Sequence, residues 1–162
     1  MHPGLILQLW LLLTLANGTP VIAKKVFGDF LAWPVDGGSR FVDGRALFGP
    51  SKTIRGIVLS IVITSGFAPI LGVPWNIGAV VGTMAMGGDL FSSFLKRRLN
   101  LAPSAMAIGL DQVPESLFPL LACLPLLAMT ILDLLTVTVG FLVGELILSQ
   151  LLFRLKIRDR PF

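Results

Sequence analysis

Long apolar runs are the feature of this sequence that most restricts its fold. A helix needs about 20 mostly apolar residues to cross the hydrocarbon core of a bilayer, and five segments approach that length. They run from about Leu5 to Val26, Thr53 to Leu71, Asn76 to Leu95, Pro114 to Ile131 and Leu134 to Leu152. They fill most of the 162 residues, of which 54% are hydrophobic and 14% charged. The sequence therefore predicts an all-α integral membrane protein of about five transmembrane helices.

The first apolar run contains a proline, and its start admits a second interpretation. We expect the first helix to be broken between Asn17 and Pro20, because proline removes one helical hydrogen bond. A cleavable signal peptide is the alternative, since the run ends in small residues. A signal peptide carries its positive charge before the apolar run, whereas Lys24 and Lys25 follow it. A retained helix is therefore the prediction.

All 13 Lys and Arg residues fall in segments that can face one side of the membrane. They lie in the first loop and its edges, after the third span and at the C-terminus, whereas the link from Gly72 to Trp75 has none. Cytoplasmic loops are enriched in Lys and Arg, so five spans place the N-terminus outside and the C-terminus in the cytoplasm. We expect a multi-pass protein of the cell (inner) membrane, with the cluster from Arg154 to Arg160 as a lipid anchor.

The first loop interleaves basic residues with glycines. Glycine lets backbone amides approach a phosphate, and Lys and Arg neutralise its charge, so the segment from Gly49 to Arg55 predicts a polyphosphate cradle. Turns with interfacial anchors are the alternative. A Walker loop is excluded, because Lys52 does not directly follow the second glycine of a Gly-x-x-x-x-Gly pattern.

The third span carries an ionisable residue, Asp89, which is costly inside a membrane and marks a candidate functional site. Ser92, Ser93 and Lys96 follow at helical spacing, so the four residues form a polar stripe on one helix face. An ion pair of Asp89 with Lys96, or with a residue of another helix, is the alternative.

Asp111 opens the fourth span and is the best candidate for a second metal-binding carboxylate. Magnesium commonly binds through one or two carboxylates plus phosphate oxygens. Asp89 and Asp111 lie at helix ends joined by a loop of about fifteen residues, so they can meet. Helix capping by Asp111 is the alternative, and it is compatible with metal binding.

Glu145 lies in the middle of the fifth span and supports a different function. A cation carrier that uses Asp89 and Glu145 is the main non-enzymatic alternative. A carrier needs polar groups through the full depth of the membrane, whereas the outer halves of the predicted spans are almost wholly apolar. An enzyme therefore fits the sequence better.

Several motifs occur together in a specific order. They are Ala16 to Pro20, Pro34 to Gly38, Phe41 to Arg45, Leu47 to Gly56, Gly88 to Leu90, Ser93 to Arg98 and Gly109 to Gln112. With them the chain resembles, over nearly its whole length, the CDP-archaeol synthases, which belong with the CDP-diacylglycerol synthases. The resemblance implies one transmembrane cytidylyltransferase domain over residues 1–162. A CDP-alcohol phosphotransferase is excluded, because neither Asp36 nor Asp43 begins its Asp-Gly-x-x-Ala-Arg motif.

The resemblance implies a nucleotidyltransferase of phospholipid biosynthesis, in which a lipid phosphate attacks the α-phosphorus of CTP and pyrophosphate leaves. Such chemistry needs positioning and charge neutralisation, which Mg²⁺ with Lys and Arg supplies. The implied partners are CTP, a lipid phosphate of the cytoplasmic leaflet and the membrane, with no nucleic acid. Unsaturated archaetidic acid is the implied lipid and phosphatidic acid the alternative. The oligomeric state is left open, and a homodimer is compatible with the sequence.

The resemblance also implies roles for individual residues. The catalytic set consists of Asp89, Lys96 and Asp111. The magnesium ligands are Asp89, Asp111 and Glu115. The substrate-binding set consists of Asn17, Lys52, Thr53, Arg55, Ser93 and Arg97. The chain departs from the family at Pro114, where an acidic residue is usual. Glu115 reaches the same metal only if the helix start shifts, because one residue turns a side chain by about 100°.

Overall fold

The computed structural model describes residues 1–102 and 107–155, and this part of the chain is helical, with two isolated β-bridges and no strand. The helices are α1 (Pro3–Phe27), α2 (Ile54–Phe67), α3 (Trp75–Arg98), α4 (Gln112–Cys123) and α5 (Ile131–Arg154). A short 3-10 turn, Ala68–Leu71, extends α2. Within the described ranges four helices are long and apolar enough to cross a membrane, namely α1, α2 with its 3-10 turn, α3 and α5. The predicted all-α membrane fold is confirmed.

The fourth predicted span differs from the expectation. It was expected from about Pro114 to Ile131, whereas α4 ends at Cys123 after 12 residues. A helix of that length covers about 18 Å, less than the roughly 30 Å of the hydrocarbon core. Pro125 has no backbone N–H to donate to the carbonyl of Leu121, and the N–H of Leu124 donates to that carbonyl at 3.3 Å instead. The proline therefore ends the helix early. The side of the membrane on which each chain terminus lies stays a prediction.

The prediction of a break in α1 is wrong, because the helix runs through Pro20 without interruption. Pro20 leaves the carbonyl of Ala16 without its usual backbone donor. The hydroxyl of Ser60, which is fully buried in α2, donates to that carbonyl at 2.7 Å. Because a neighbouring helix supplies the missing hydrogen bond, α1 stays continuous.

Apolar side chains divide between a core and an outer surface. Leu12, Val81 and Phe141 are buried where α1, α3 and α5 meet the rest of the bundle. Val62 and Ile147 are 60% and 63% exposed. Large apolar side chains on the outside of a bundle suit hydrocarbon rather than water. The distribution agrees with a protein whose solvent is the membrane.

The helix α3 lies at the centre of the bundle and contacts α1, α2 and α4. Two glycines permit these contacts. A Cβ atom at Gly78 would lie 2.6 Å from the Cβ of Ala68, and a Cβ at Gly88 would lie 2.8 Å from the backbone nitrogen of Glu115. Small residues let membrane helices approach closely. Gly88 thereby brings the start of α4 against the middle of α3.

The loop between α1 and α2 is held at its base by main-chain hydrogen bonds. The N–H of Val35 donates to the carbonyl of Lys52 at 2.8 Å, and the N–H of Ile54 donates to the carbonyl of Trp33 at 3.0 Å. These bonds fix Lys52 directly before α2. Of the C-terminal basic cluster, Arg154 ends α5, and the rest, from residue 156 onward, lies outside the described residues.

Candidate active site

A cavity of about 740 Å³ opens where α1 ends, α2 begins and α3 ends. Every candidate site residue named from the sequence lines it. These are Asn17, Lys52, Thr53, Arg55, Asp89, Ser93, Lys96, Arg97, Asp111 and Glu115. Four separate segments of the chain contribute them. The fold thus brings together residues that are up to 98 positions apart.

Lys52 and Asp89 form an ion pair on the cavity wall, with 2.5 Å between the Lys52 Nζ and an oxygen of Asp89. The two side chains are 21% and 16% exposed, so the pair is largely screened from solvent. The sequence offered Lys96 as the partner of Asp89 at helical spacing. The structure instead uses a lysine from the loop before α2. A buried carboxylate and a buried ammonium each need such a counter-charge.

Lys96 pairs with the other aspartate, and 2.7 Å separates its Nζ from an oxygen of Asp111. The second carboxylate oxygen of Asp111 accepts the backbone N–H of Ala107 at 3.0 Å. Asp111 occupies the N-cap position of α4, but its side chain makes no capping hydrogen bond. The side-chain capping alternative is therefore wrong, and the carboxylate faces Lys96 in the cavity.

Glu115 also reaches the cavity, where its carboxyl group hydrogen-bonds to that of Asp89. Pro114 packs against Gly88, whose missing Cβ would lie 2.5 Å from the Pro114 carbonyl carbon. With Pro114 against α3, the next side chain faces Asp89. Two carboxyl groups meet only when a proton or a cation lies between them, because like charges repel.

The carboxylates can be tested for their fit to a metal ion. In residues 1–102 and 107–155 no group of three or more His, Cys, Asp or Glu side chains is placed to hold a metal by itself. Magnesium does not require one, because it binds through one or two carboxylates and takes its other oxygens from phosphates and water. Asp89 and Glu115, already in contact, form such a pair. The donor set therefore fits Mg²⁺ that arrives with a phosphate ligand.

The glycine-rich part of the first loop does not present its amides as expected. The backbone N–H groups of Phe48 and Gly49 both donate to one oxygen of Asp36 at 2.9 Å, and that of Gly38 donates to the other at 3.0 Å. Burial raises the pKa of Asp36, but these hydrogen bonds outweigh it and the pKa is lowered overall. An internal carboxylate occupies the amides of residues 48 and 49. The predicted cradle therefore offers side chains rather than these amides.

Thr53 and Arg55 line the cavity but are held by the protein. The Thr53 hydroxyl accepts the N–H of Gly56 at 3.2 Å and so caps α2. The Arg55 guanidinium donates to the carbonyls of Phe30 and, at 3.0 Å, of Gly28. These bonds fix the direction of the Arg55 charge. The predicted substrate contact of Arg55 therefore has to coexist with two main-chain contacts.

The three basic residues that end α3 separate into two groups. Lys96 and Arg97 line the cavity. Arg98 lies outside it, forms a 2.8 Å ion pair with Asp43 and stacks 4.9 Å from the centre of the Phe41 ring. It therefore ties the first loop to α3. Arg97 is 7% exposed, and its guanidinium donates to the carbonyl of Ala102 at 2.9 Å.

The remaining predicted residues occupy the cavity wall. The Asn17 side-chain amide donates to the carbonyl of Leu13 at 3.0 Å, and Ser93 is 2% exposed. Ser92, also on the predicted polar stripe, donates instead to the carbonyl of Asp89 at 3.0 Å. Glu145 of α5 lines the same cavity, so the two carboxylates of the carrier hypothesis belong to this site.

Sequence reasoning missed Lys24, Lys25 and Asp29, which line the cavity at the end of α1. The sequence pointed to Lys24 and Lys25 through their charge alone, as evidence against a signal peptide and for the side of the membrane that they face. The signal that could have identified the two lysines is their position about two helical turns after Asn17, in the helix whose Pro20 packs against α2. Among the described residues, six basic and five acidic side chains line the cavity. The cavity is thus nearly charge-balanced.

The chain is similar to proteins named CDP-archaeol synthase in several archaea. It is 34% identical over 153 residues to that of Sulfurisphaera tokodaii, which covers 91% of this chain and 89% of the relative. It is 35% identical over 124 residues to that of Pyrococcus furiosus, and the match covers 69% of this chain and 70% of the relative. Over 104 residues it is 38% identical to that of Hyperthermus butylicus, and the match covers 60% of this chain and 59% of the relative.

One solved structure is also similar, with a TM-score of 0.70 and 26% sequence identity over 85% of this chain and 90% of the other. It is described as structural insight into an intramembrane enzyme for archaeal membrane lipids biosynthesis. No family model matches the chain. Sequence and fold comparisons therefore agree on one group of membrane proteins.

Proposed function

Because the chain belongs to the CDP-archaeol synthase family, and so is a CTP-dependent lipid cytidylyltransferase of membrane lipid biosynthesis, we propose its substrate and cofactor. The lipid is unsaturated archaetidic acid, and the cofactor is Mg²⁺. Phosphatidic acid is the second candidate, since it presents the same phosphate. The enzyme acts at the cytoplasmic face of the cell membrane, where CTP and a lipid phosphate of that leaflet meet. Family membership favours this function over a cation carrier.

The observation that carries the proposal is the pair of lysine–aspartate ion pairs that face one cavity, Lys52 with Asp89 and Lys96 with Asp111. Each lysine is already neutralised, so a triphosphate that enters alone gains little net attraction. If the aspartates bind a divalent cation, both lysines become available for phosphate oxygens. The site is therefore built to take a cation and a polyanion together.

Asp89 with Glu115 and Asp111 would hold Mg²⁺, which supplies charge neutralisation at the triphosphate when it is bound. Lys52, Lys96 and Arg97 would contact phosphate oxygens. An oxygen of the lipid phosphate forms a bond to the α-phosphorus of CTP, and the bond from that phosphorus to the β-phosphate oxygen breaks. The electron pair and the negative charge leave with pyrophosphate, beside the basic side chains.

The protein's own contribution is mainly positioning. Five chain segments fix the charged groups, and Ser93 and Asn17 add polar contacts on the same wall. Main-chain bonds hold Arg55 and Arg97, so their charges are oriented before the substrates enter. Pre-oriented charges stabilise a developing charge without reorganisation at the moment of reaction.

The test is pyrophosphate release by the purified protein in lipid or detergent over a panel of ether and ester lipid phosphates. We expect release only when CTP, Mg²⁺ and a lipid phosphate are all present, with the unsaturated ether lipid giving the highest kcat/KM. A higher kcat/KM for phosphatidic acid would replace the substrate assignment. Full activity with a chelator present would refute the metal assignment. No release with any lipid phosphate, while a control enzyme works, would refute the function.

A further inference from the structure

A second, apolar cavity lies beside the polar one and is not explained by CTP chemistry. It measures about 340 Å³ and is formed by the end of α1, the loop that follows it and the first turns of α2. Its walls include Phe27, Phe30, Trp33, Val58 and Leu59. Arg55 contributes the one charged side chain among the described residues that line it. We call this cavity the apolar groove.

The apolar groove opens toward the outside of the bundle. Phe30 and Trp33 are 67% and 65% exposed, and Val58 is 51% exposed on the outer face of α2. Tryptophan side chains such as Trp33 are enriched at the interface between hydrocarbon and headgroups. The opening is therefore placed where the chain of a membrane lipid can enter sideways.

Arg55 lines both the apolar groove and the polar cavity. Its guanidinium is fixed by the carbonyls of Gly28 and Phe30 and lies 5.7 Å from the centre of the Phe27 ring. One held positive charge thus marks the boundary between an apolar compartment and a cavity that contains Lys52 and Arg97. A lipid phosphate has the same layout, with hydrocarbon joined to an anionic head.

We propose that the apolar groove holds the glycerol-proximal part of a hydrocarbon chain of the lipid phosphate, and that Arg55 positions its phosphate at the cavity entrance. The inference rests on the proposed function and adds the place where the lipid is recognised. Bulk lipid would cover the groove without needing a cation at its inner end. The shared position of Arg55 therefore favours the anionic substrate as the occupant.

The first test fills the groove with a larger side chain and uses a matched control on the same helix. Val58→Phe places a ring in the groove, whereas Val62→Phe makes the same change one turn away, at a residue that is 60% exposed and does not line the groove. We expect Val58→Phe to raise the KM for a long-chain lipid phosphate about tenfold, the effect of leaving roughly two methylenes unburied. The KM for CTP should not change, and Val62→Phe should behave as wild type.

A short-chain lipid phosphate separates chain binding from a general defect. With chains of one or two carbons it leaves most of the groove empty, so Val58→Phe and wild type should turn it over with the same kcat/KM. Equal kinetics of Val58→Phe and Val62→Phe with the long-chain substrate would overturn the proposal. So would an equal loss with short and long chains. In both cases wild-type turnover shows that the proposed function itself stands, whereas absence of all wild-type turnover refutes that function instead.

The second test does not depend on turnover. Trp33 lines the groove, so a lipid phosphate with bromine on the first carbons of its chain should quench its fluorescence. The difference between wild type and Trp33→Phe isolates this signal from Trp10 and Trp75. We expect an excess of lipid phosphate without bromine to reverse the quenching. The same lipid without its phosphate group should not reverse it. Absence of quenching, or equal displacement by both lipids, would show that the substrate does not occupy the groove.

Discussion

Replacing Gly88 by alanine should push α4 away from α3 and separate the carboxylates that the two helices carry. A Cβ atom at Gly88 would lie 2.5 Å from the carbonyl carbon of Pro114 and 2.8 Å from the nitrogen of Glu115. Ordinary contacts between such atoms are about 3.5–4.0 Å, so the start of α4 must move by about 1 Å. Both atoms belong to backbone, which cannot give way as a side chain would.

The expected losses of stability and of catalytic rate follow from that displacement. Overpacking of this kind costs about 1–3 kcal/mol of stability. A misplacement of about 1 Å at a catalytic group costs about a hundredfold in rate. We therefore expect Gly88→Ala to lower kcat about a hundredfold, because Glu115 moves away from Asp89, and to lower the thermal unfolding midpoint as well.

Gly87→Ala is the matched control, since a Cβ atom at the neighbouring Gly87 meets nothing within 4 Å. Alanine favours a helix over glycine by about 1 kcal/mol, so this variant should be as stable as wild type or slightly more stable. Both variants are assayed for CDP-lipid formation and for thermal unfolding in the same detergent. If Gly88→Ala matches Gly87→Ala in rate and in unfolding midpoint, the close approach of α3 and α4 is not what positions Glu115.

Two further predictions concern hydrogen bonds that shape the site. Ser60→Ala should destabilise the protein by about 1 kcal/mol, because the carbonyl freed by Pro20 loses its donor, and adding Pro20→Ala should restore the unfolding midpoint. An unchanged midpoint in Ser60→Ala would contradict this. Asp36 has a lowered pKa, so its stabilisation of the first loop is complete above its ordinary pKa of 3.8 and is lost as the pH falls through the lowered value. Asp36→Asn should therefore speed proteolysis of the loop at neutral pH, where equal cleavage of variant and wild type would refute the role.

The membrane fold could be predicted from the sequence, and so could many of the residues that line the polar cavity. Apolar runs report the spans directly, because a bilayer requires their length. Motif order selected ten candidate site residues, and the structure places all ten around one cavity. The lysine partner of Asp89 could not be predicted, because Lys96 at helical spacing was as plausible as Lys52 from a loop 37 residues earlier. The fold of the first loop decides which of the two lysines pairs with Asp89.

Other differences arise from contacts between distant segments. The sequence around Pro20 predicts a break, and the donor that removes it lies 44 residues away from Ala16. The first loop has the composition of a phosphate cradle, yet Asp36 occupies two of its amides. Glu115 was expected to reach the metal only if the helix start shifted, and the packing of Pro114 against Gly88 is what turns it toward Asp89. Local patterns cannot show such pairings.

The role of the two cavity aspartates is tested most directly by transfer of labelled cytidylate from CTP to lipid by wild type, Asp89→Asn and Asp111→Asn. Asp43→Asn is the control, because its carboxylate pairs with Arg98 outside the cavity. We expect wild type and Asp43→Asn to form labelled CDP-lipid only with both Mg²⁺ and a lipid phosphate. Each cavity variant should fold normally and lose activity by at least about a hundredfold. Labelled lipid formed at the wild-type rate by either cavity variant would contradict the claim that these aspartates are the centre of the site.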